Sequence, residues 1–281
     1  MEAVKPDIVI TLYPQDYDAV LFDLDGVLTN TAKLHASAWK KLFDNFLEQR
    51  ATINGDPFVP FDRDSDYLLH VDGKPRYDGA SAFLSSRGID LPWGSPVDGP
   101  DVQSVCALGN LKDRYFMLLI EQEGVEAYES SVALVQKLRA LNIKTVVTSS
   151  SNNCREVLEA AGLSQLFDAH IDGIEITRLN IKGKPAPDGF LEAARLVGAE
   201  PARAVVIEDA IAGIEAGRTG LFGCVIGVDR NGHAEALRDA GADIVVSDLA
   251  QVRVEEAQSS ATWSLGFDGF DPAEEGIREA L

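Results

Sequence analysis

"LFDLDGVLTN", residues 21–30, runs apolar residues into two carboxylates one residue apart, Asp23 and Asp25, and then a glycine. A short, nearly continuous apolar run suits a parallel strand covered on both faces. The pattern recurs at "KTVVTS" (144–149), "AVVIED" (204–209), "CVIGVD" (224–229) and "DIVVSD" (243–248). Helical patterns lie between these runs, at "NNCREVLEAAGL" (152–163) and "PDGFLEAARLVG" (187–198). The second places Phe190, Ala193, Ala194 and Val197 on one face, and Gly162 and Gly198 stand where C-terminal caps are expected. The alternation predicts an α/β fold, a doubly wound and mainly parallel Rossmann-like sheet with right-handed crossovers.

The first two strands are separated by far more chain than the ~10–15 residues a crossover helix needs, so an insertion is expected there. It opens with "TAKLHASAWKKLFDNFLEQR", whose Leu34, Ala38, Leu42 and Phe46, beside Trp39, Phe43 and Leu47, form a wide apolar stripe expected in a core. "LKDRYFMLLIEQEG" (111–124) reads as a second helix, and residues 51–102 as loops with a short helix around "GASAFLSSRG" (79–88). The expected organisation is a discontinuous core (1–30 and 128–251), an inserted helical cap (31–127) and a tail or the start of a fused domain (252–281).

With 281 residues, 46% of them hydrophobic, the chain can build one sizeable core and a small second domain. The formal net charge of −20 disfavours nucleic acid and anionic membranes as partners. No stretch approaches the roughly 18 apolar residues of a membrane span, and the N-terminus lacks an apolar signal region, so a cytoplasmic protein is expected. Cys106, Cys154 and Cys224 lack metal-type spacing and are expected to be packing residues.

In an open α/β sheet, ligands bind at the carboxyl ends of the strands. Those ends here carry Asp23 and Asp25, then Ser149, then Glu208 and Asp209. Strand alternation sends Asp23 and Asp25 to the same side. Four acids at one mouth require a cation, and an all-oxygen donor set suits Mg²⁺, which commonly shares its shell with a phosphate. The hydroxyl-rich turn "TSSSNN" (148–153) opens a helix and offers donors to such a phosphate, and Lys184 in "IKGKPAPDGF" adds a positive charge. Asp23 is then placed for in-line attack to give an aspartyl phosphate, and Asp25 for moving the proton.

These motifs resemble those of the haloacid dehalogenase superfamily over about residues 17–250: "DLDGV" is similar to its nucleophile motif, Ser149 to its second, Lys184 in "GKPAPD" to its third and "IEDAIAGIEAG" to its metal-binding fourth. Within it, "DLDGVLTNTAKLHASAWK" resembles the opening of the β-phosphoglucomutase family. That resemblance implies a hinge threonine at Thr31 and a cap histidine, His35, that assists Asp25. It also implies a cap arginine for the non-transferring phosphate, Arg76, a cap lysine, Lys112, and phosphate contacts from Ser149, Ser150 and Asn153. Metal ligands would be Asp23, Glu208, Asp209 and the Asp25 backbone carbonyl. The implied reaction converts β-glucose 1-phosphate to glucose 6-phosphate through β-glucose 1,6-bisphosphate, which also serves as activator, in a monomer.

Departures are Asn30, where that family often has an acid, and Asp113, where asparagine is common. The stretch 48–70 is expected to be an extra loop without an assigned role. The last 20 residues, "TWSLGFDGFDPAEEGIREAL", resemble the start of glycoside hydrolase family 65 phosphorylases, which makes a fused or associated glycosyl phosphorylase a candidate partner. The rival expectation is a sugar-phosphate phosphatase, and less favoured is a non-catalytic module fused to a phosphorylase. A dehalogenase has little use for Asp25 and the Glu208–Asp209 pair, and no dinucleotide motif is present.

Overall fold

The computed structural model describes residues 9–256. Its strands are β1 (Ile10–Leu12), β2 (Ala19–Phe22), β3 (Lys144–Thr148), β4 (Ala169–Ile171), β5 (Ala204–Glu208), β6 (Cys224–Val228), β7 (Ile244–Val246) and β8 (Val252–Val254). The helices are α1 (Ala32–Asn54), α2 (Arg76–Ser86), α3 (Val105–Glu123), α4 (Glu129–Ala140), α5 (Cys154–Ala160), α6 (Gly173–Leu179), α7 (Asp188–Leu196), α8 (Ile211–Thr219) and α9 (Ala234–Asp239).

Six strands form one parallel sheet in the order β4-β3-β2-β5-β6-β7. The central strands are apolar throughout because both of their faces are covered. Val20 and Phe22 of β2 join Val205 and Ile207 of β5 and Val147 of β3 on one face, with Leu134, Val135 and Leu138 of α4. Ala19 and Leu21, with Val206, face the other way onto Phe190, Ala193 and Ala194 of α7 and Ile214 of α8. The chain order reverses beside β2, so the acids at its carboxyl end lie at a switch point where α/β sheets bind ligands.

Three strands, β1, β4 and β8, escape the pattern reading. β4 is three residues long and includes His170. β8 pairs in parallel with β1, Ile10 against Val252 and Leu12 against Val254, where a tail from residue 252 was expected. Leu12, Val252 and Val254 are buried, so the pair closes one side of the core.

The insertion has the expected loops at 55–62 and 87–104 and the expected short helix, α2, but is helical at two places read as loop. α1 runs on to Asn54 and ends at Gly55 in the left-handed conformation. Residues Arg63–Val71 form a wide helical turn with five-residue hydrogen bonds, Tyr67 N–H to Asp62 O and Asp72 N–H to Tyr67 O. Its first amides, those of Asp64 and Ser65, donate to the Asp62 carboxylate at 3.0 and 2.8 Å. Phe61 anchors it, stacking on Phe43 and meeting Phe83 edge-on, in a cap core that holds Trp39, Leu42 and Leu84. Phe46 lies only partly buried against that cluster.

All three cysteines are buried and free. Among the described residues no helix is long and apolar enough to cross a membrane. The stretch 262–281, with its phosphorylase-like pattern, lies outside the described residues.

Candidate active site

The turn after β2 is held by its backbone. Asp23 N–H donates to Ile207 O at 2.9 Å, and Gly26 N–H to Thr29 O at 2.7 Å. Gly26 sits at φ +90°, and a Cβ there would stand 1.8 Å from Asp209 Oδ2. Only glycine both adopts this backbone and lets Asp209 close on the turn.

Beneath the cleft lies a buried triad of charges. Lys184 Nζ donates to Asp23 Oδ1 at 2.5 Å, to Thr148 O at 3.2 Å and to Glu208 Oε1. The second oxygen of Glu208 accepts from Asp209 N–H and Ala210 N–H, both at 2.9 Å. The missing side chain of Gly213 makes room for this carboxylate, since a Cβ would lie 1.8 Å from Glu208 Oε1. Burial would lower the Lys184 pKa, but Asp23 and Glu208 outweigh it and hold the ammonium above its ordinary value. Lys184 is thus a bridge between two strand ends.

Asp23, Glu208 and Asp209 each place a carboxylate oxygen within 4.8 Å of the others. Burial, then the charge of Glu208, drives Asp23 well above the usual carboxylate range despite Lys184. Asp209 is driven up by burial and then by Asp72, Glu208, Asp23 and Asp25, all acids. Buried acids that repel one another in an all-oxygen cluster fit a hard divalent cation.

Asp25 has different partners. Thr31 Oγ1 donates to its Oδ1, and Thr29 Oγ1 lies 2.7 Å from Thr31 Oγ1. His35 Nε2 stands 3.2 Å from the same Asp25 oxygen without closing an aligned hydrogen bond. Lys112 Nζ lies 2.5 Å from His35 Nδ1. An ammonium only donates, so Nδ1 must accept and the neutral imidazole carries its proton on Nε2, facing Asp25. Burial, then Lys112, lowers the His35 pKa and keeps the ring neutral. Burial raises Asp25, but His35 and Thr31 outweigh it and bring the carboxyl to about 2. Lys112 is itself lowered by burial to about 8. The His35 ring stacks on Phe116 at 3.7 Å, and the Lys112 ammonium sits over Phe116 and Trp39.

The serine-rich turn is more occupied than its sequence suggests. Ser149 Oγ lies 3.5 Å from Asp25 Oδ2 and also accepts from Ser151 N–H, and Ser151 Oγ accepts from Asn153 N–H. α5, which follows, has only seven residues. Ser150 lines the cleft and donates to the cap carbonyl of Gly73 at 2.7 Å. Asn153 Nδ2 donates to Asp113 Oδ1 at 2.7 Å, and Arg76 Nη1 pairs with the same oxygen at 2.9 Å.

One cleft between cap and sheet therefore collects Asp23, Asp25, Ser149, Asp209, His35, Lys112 and Arg76. Glu208 and Lys184 lie beneath it rather than on its wall. Sequence reasoning missed Tyr67 and Asp72, which also line it. Burial, with Glu208 and Asp25 adding, raises Asp72 to about 7 even though Tyr67 opposes the shift. An acid beside the glycine of "VDGKPR" was the available signal, hidden because the stretch before it read as a loop.

A parallel α/β sheet whose acidic mouth is covered by an inserted helical cap defines a class, and the haloacid dehalogenase-like hydrolase model matches residues 17–220. The chain belongs to that family. A β-phosphoglucomutase of Mycobacterium bovis is 46% identical over 242 residues, which cover 85% of this chain and 92% of that one. A protein of Mycobacterium tuberculosis named as an uncharacterized glycosyl hydrolase is 39% identical over 85% of this chain but only 18% of its own length. A solved β-phosphoglucomutase from Clostridium difficile superposes with TM-score 0.63 at 26% identity, over 84% of this chain and 92% of its own. The protein is accordingly an enzyme of the β-phosphoglucomutase kind, a phosphotransferase or phosphatase of the superfamily.

Proposed function

We propose that this enzyme is a Mg²⁺-dependent β-phosphoglucomutase that converts β-glucose 1-phosphate to glucose 6-phosphate through β-glucose 1,6-bisphosphate. The observation that carries the reading is the convergence on one cleft of the Asp23–Asp25 pair from the sheet with His35, Lys112 and Arg76 from the cap. A hydrolase needs the first set, whereas holding a second phosphate needs a cap cation such as Arg76.

In this reading Asp23 attacks phosphorus and carries the phosphoryl group as an aspartyl phosphate. Asp25, ionised with a pKa of about 2, takes the proton of the sugar hydroxyl that attacks next and returns it to the leaving oxygen in the other half-reaction. His35, fixed as its Nε2–H tautomer by Lys112, orients that carboxylate. Asp23, Glu208, Asp209 and the Asp25 carbonyl would hold Mg²⁺, which supplies charge neutralisation to the phosphoryl group. Ser149 and Lys184 steady the reacting groups, Lys184 from below through Asp23. The similarity to 18% of the length of a much longer protein named as a glycosyl hydrolase supports a fused or associated sugar-releasing partner.

A sugar-phosphate phosphatase is the second reading, favoured by one observation: Arg76 is already paired with Asp113. A coupled assay for glucose 6-phosphate from β-glucose 1-phosphate, with Mg²⁺ and a trace of glucose 1,6-bisphosphate, separates the two. Glucose 6-phosphate is expected to form much faster than free phosphate. Dominant free phosphate makes the enzyme a phosphatase.

A further inference from the structure

The pairing of Arg76 has a partner from the sheet side. Asp113 Oδ1 accepts from the Arg76 guanidinium at 2.9 Å and from the Asn153 carboxamide at 2.7 Å. Arg76 opens the cap helix α2, Asp113 stands on α3, and Asn153 ends the serine-rich turn of the core. One carboxylate oxygen thus gathers a cationic donor from the cap and a neutral donor from the core, as an oxygen of a bound phosphate would.

The rest of the guanidinium is held without being saturated. Nη2 reaches Tyr77 Oη at a long 3.4 Å, and Nε is buried with no partner among the described residues. Tyr77 Oη donates to Asn110 at 2.8 Å, and Asn110 in turn donates to the Pro96 and Asp98 carbonyls, both at 3.0 Å. The Tyr77 ring fits because residue 109 is glycine, where a Cβ would stand 2.7 Å away. Arg76 thus has a contact to Tyr77 besides its pair with Asp113.

We propose that the Asp113 carboxylate is a resident occupant of the subsite for the substrate's second, non-transferring phosphate and that it weakens that subsite by design of its charge. The proposal rests on the phosphate role of Arg76 in the proposed function. A phosphate dianion entering beside Asp113 meets a like charge and must win Arg76 and Asn153 from it. A sugar bisphosphate that has to leave and return reversed through the same arginine exchanges faster when a competitor is tethered there. Asp113→Asn keeps the shape and an acceptor oxygen but removes the charge.

The test uses the full chain carrying Asp23→Asn, which prevents turnover, with Mg²⁺ present and glucose 1,6-bisphosphate as the titrant in a calorimeter. Adding Asp113→Asn is expected to tighten binding about tenfold, the loss of one like-charge neighbour in the shell of a phosphate. Asp113→Ser is expected to act in the same direction, and the tightening should shrink in both variants once Arg76 is also replaced by Ala, because the competition for its guanidinium is then gone. Unchanged or weaker binding in both variants, each with native circular dichroism, overturns the proposal and makes Asp113 a positioning residue for Arg76. The bisphosphate always carries a second phosphate, so the result is independent of whether the product assay finds a mutase or a phosphatase.

Discussion

Asp23 and Asp25 are two residues apart and chemically opposite. Burial and Glu208 press Asp23 toward its neutral form, while His35 and Thr31 hold Asp25 ionised with a pKa of about 2. Replacing Asp23 by Asn should lower kcat by roughly 10⁴-fold or more, as loss of a nucleophile does. Lys184 keeps Glu208 as a partner in this variant, so the urea midpoint should fall by less than in Lys184→Met; an equal fall would mean that Asp23 is chiefly structural. Asp25 stays ionised far below neutrality and cannot limit the rate on the acid side of pH 7. Lys112 can act on the alkaline side, because burial lowers it to about 8: cationic below that pH, it is neutral above it. We expect kcat/KM to decline above about pH 8, and the decline to move to higher pH in Lys112→Arg, which stays charged. An alkaline limb unmoved by that substitution would assign it to another group. The type and spacing of the acids were legible in the chain, but the direction of each shift was not, because it comes from residues distant in sequence.

At the scale of elements, the site is a meeting of strand ends. β2 brings Asp23, β5 brings Glu208, and the loop before α7 brings Lys184 between them. Removing the lysine leaves two buried carboxylates facing each other. Lys184→Met should therefore destabilise the fold by about 3–5 kcal/mol, measured by urea unfolding, because breaking a buried pair costs more than the pair contributes. A loss below about 1 kcal/mol would show that the carboxylates protonate or hydrate at little cost. The strands of the central sheet were readable since burial on both faces leaves a continuous apolar run. The wide turn at Arg63–Val71 and the short strands β1, β4 and β8 were not, as the turn depends on Phe61 packing into the cap and the strands on pairing with other strands, for β1 and β8 across most of the chain.

For the whole molecule, the sheet and the cap meet over a cluster of acids in a chain of net charge −20. A cation bound only by the folded chain stabilises it by mass action, about 2.7 kcal/mol at a hundred times its dissociation constant. Mg²⁺ at that excess should raise Tm by roughly 4–6 °C for a chain of this size. Asp209→Asn should retain the fold and lose most of that rise. An equal rise in the variant would place the cation elsewhere.

The central strands, the insertion and the acids at the strand ends were legible in the chain, because they follow from local apolar periodicity and from carboxylates abruptly ending buried runs. Tertiary structure alone decided which partners those groups face: Lys112 fixing the tautomer of His35, Ser150 bonded to the cap, Asp72 at the cleft and Asp113 between Arg76 and Asn153. The reason is physical. A strand or helix is written in neighbours one to four residues apart, whereas the charge and proton state of a site residue is set by groups brought within a few ångströms from tens or hundreds of residues away.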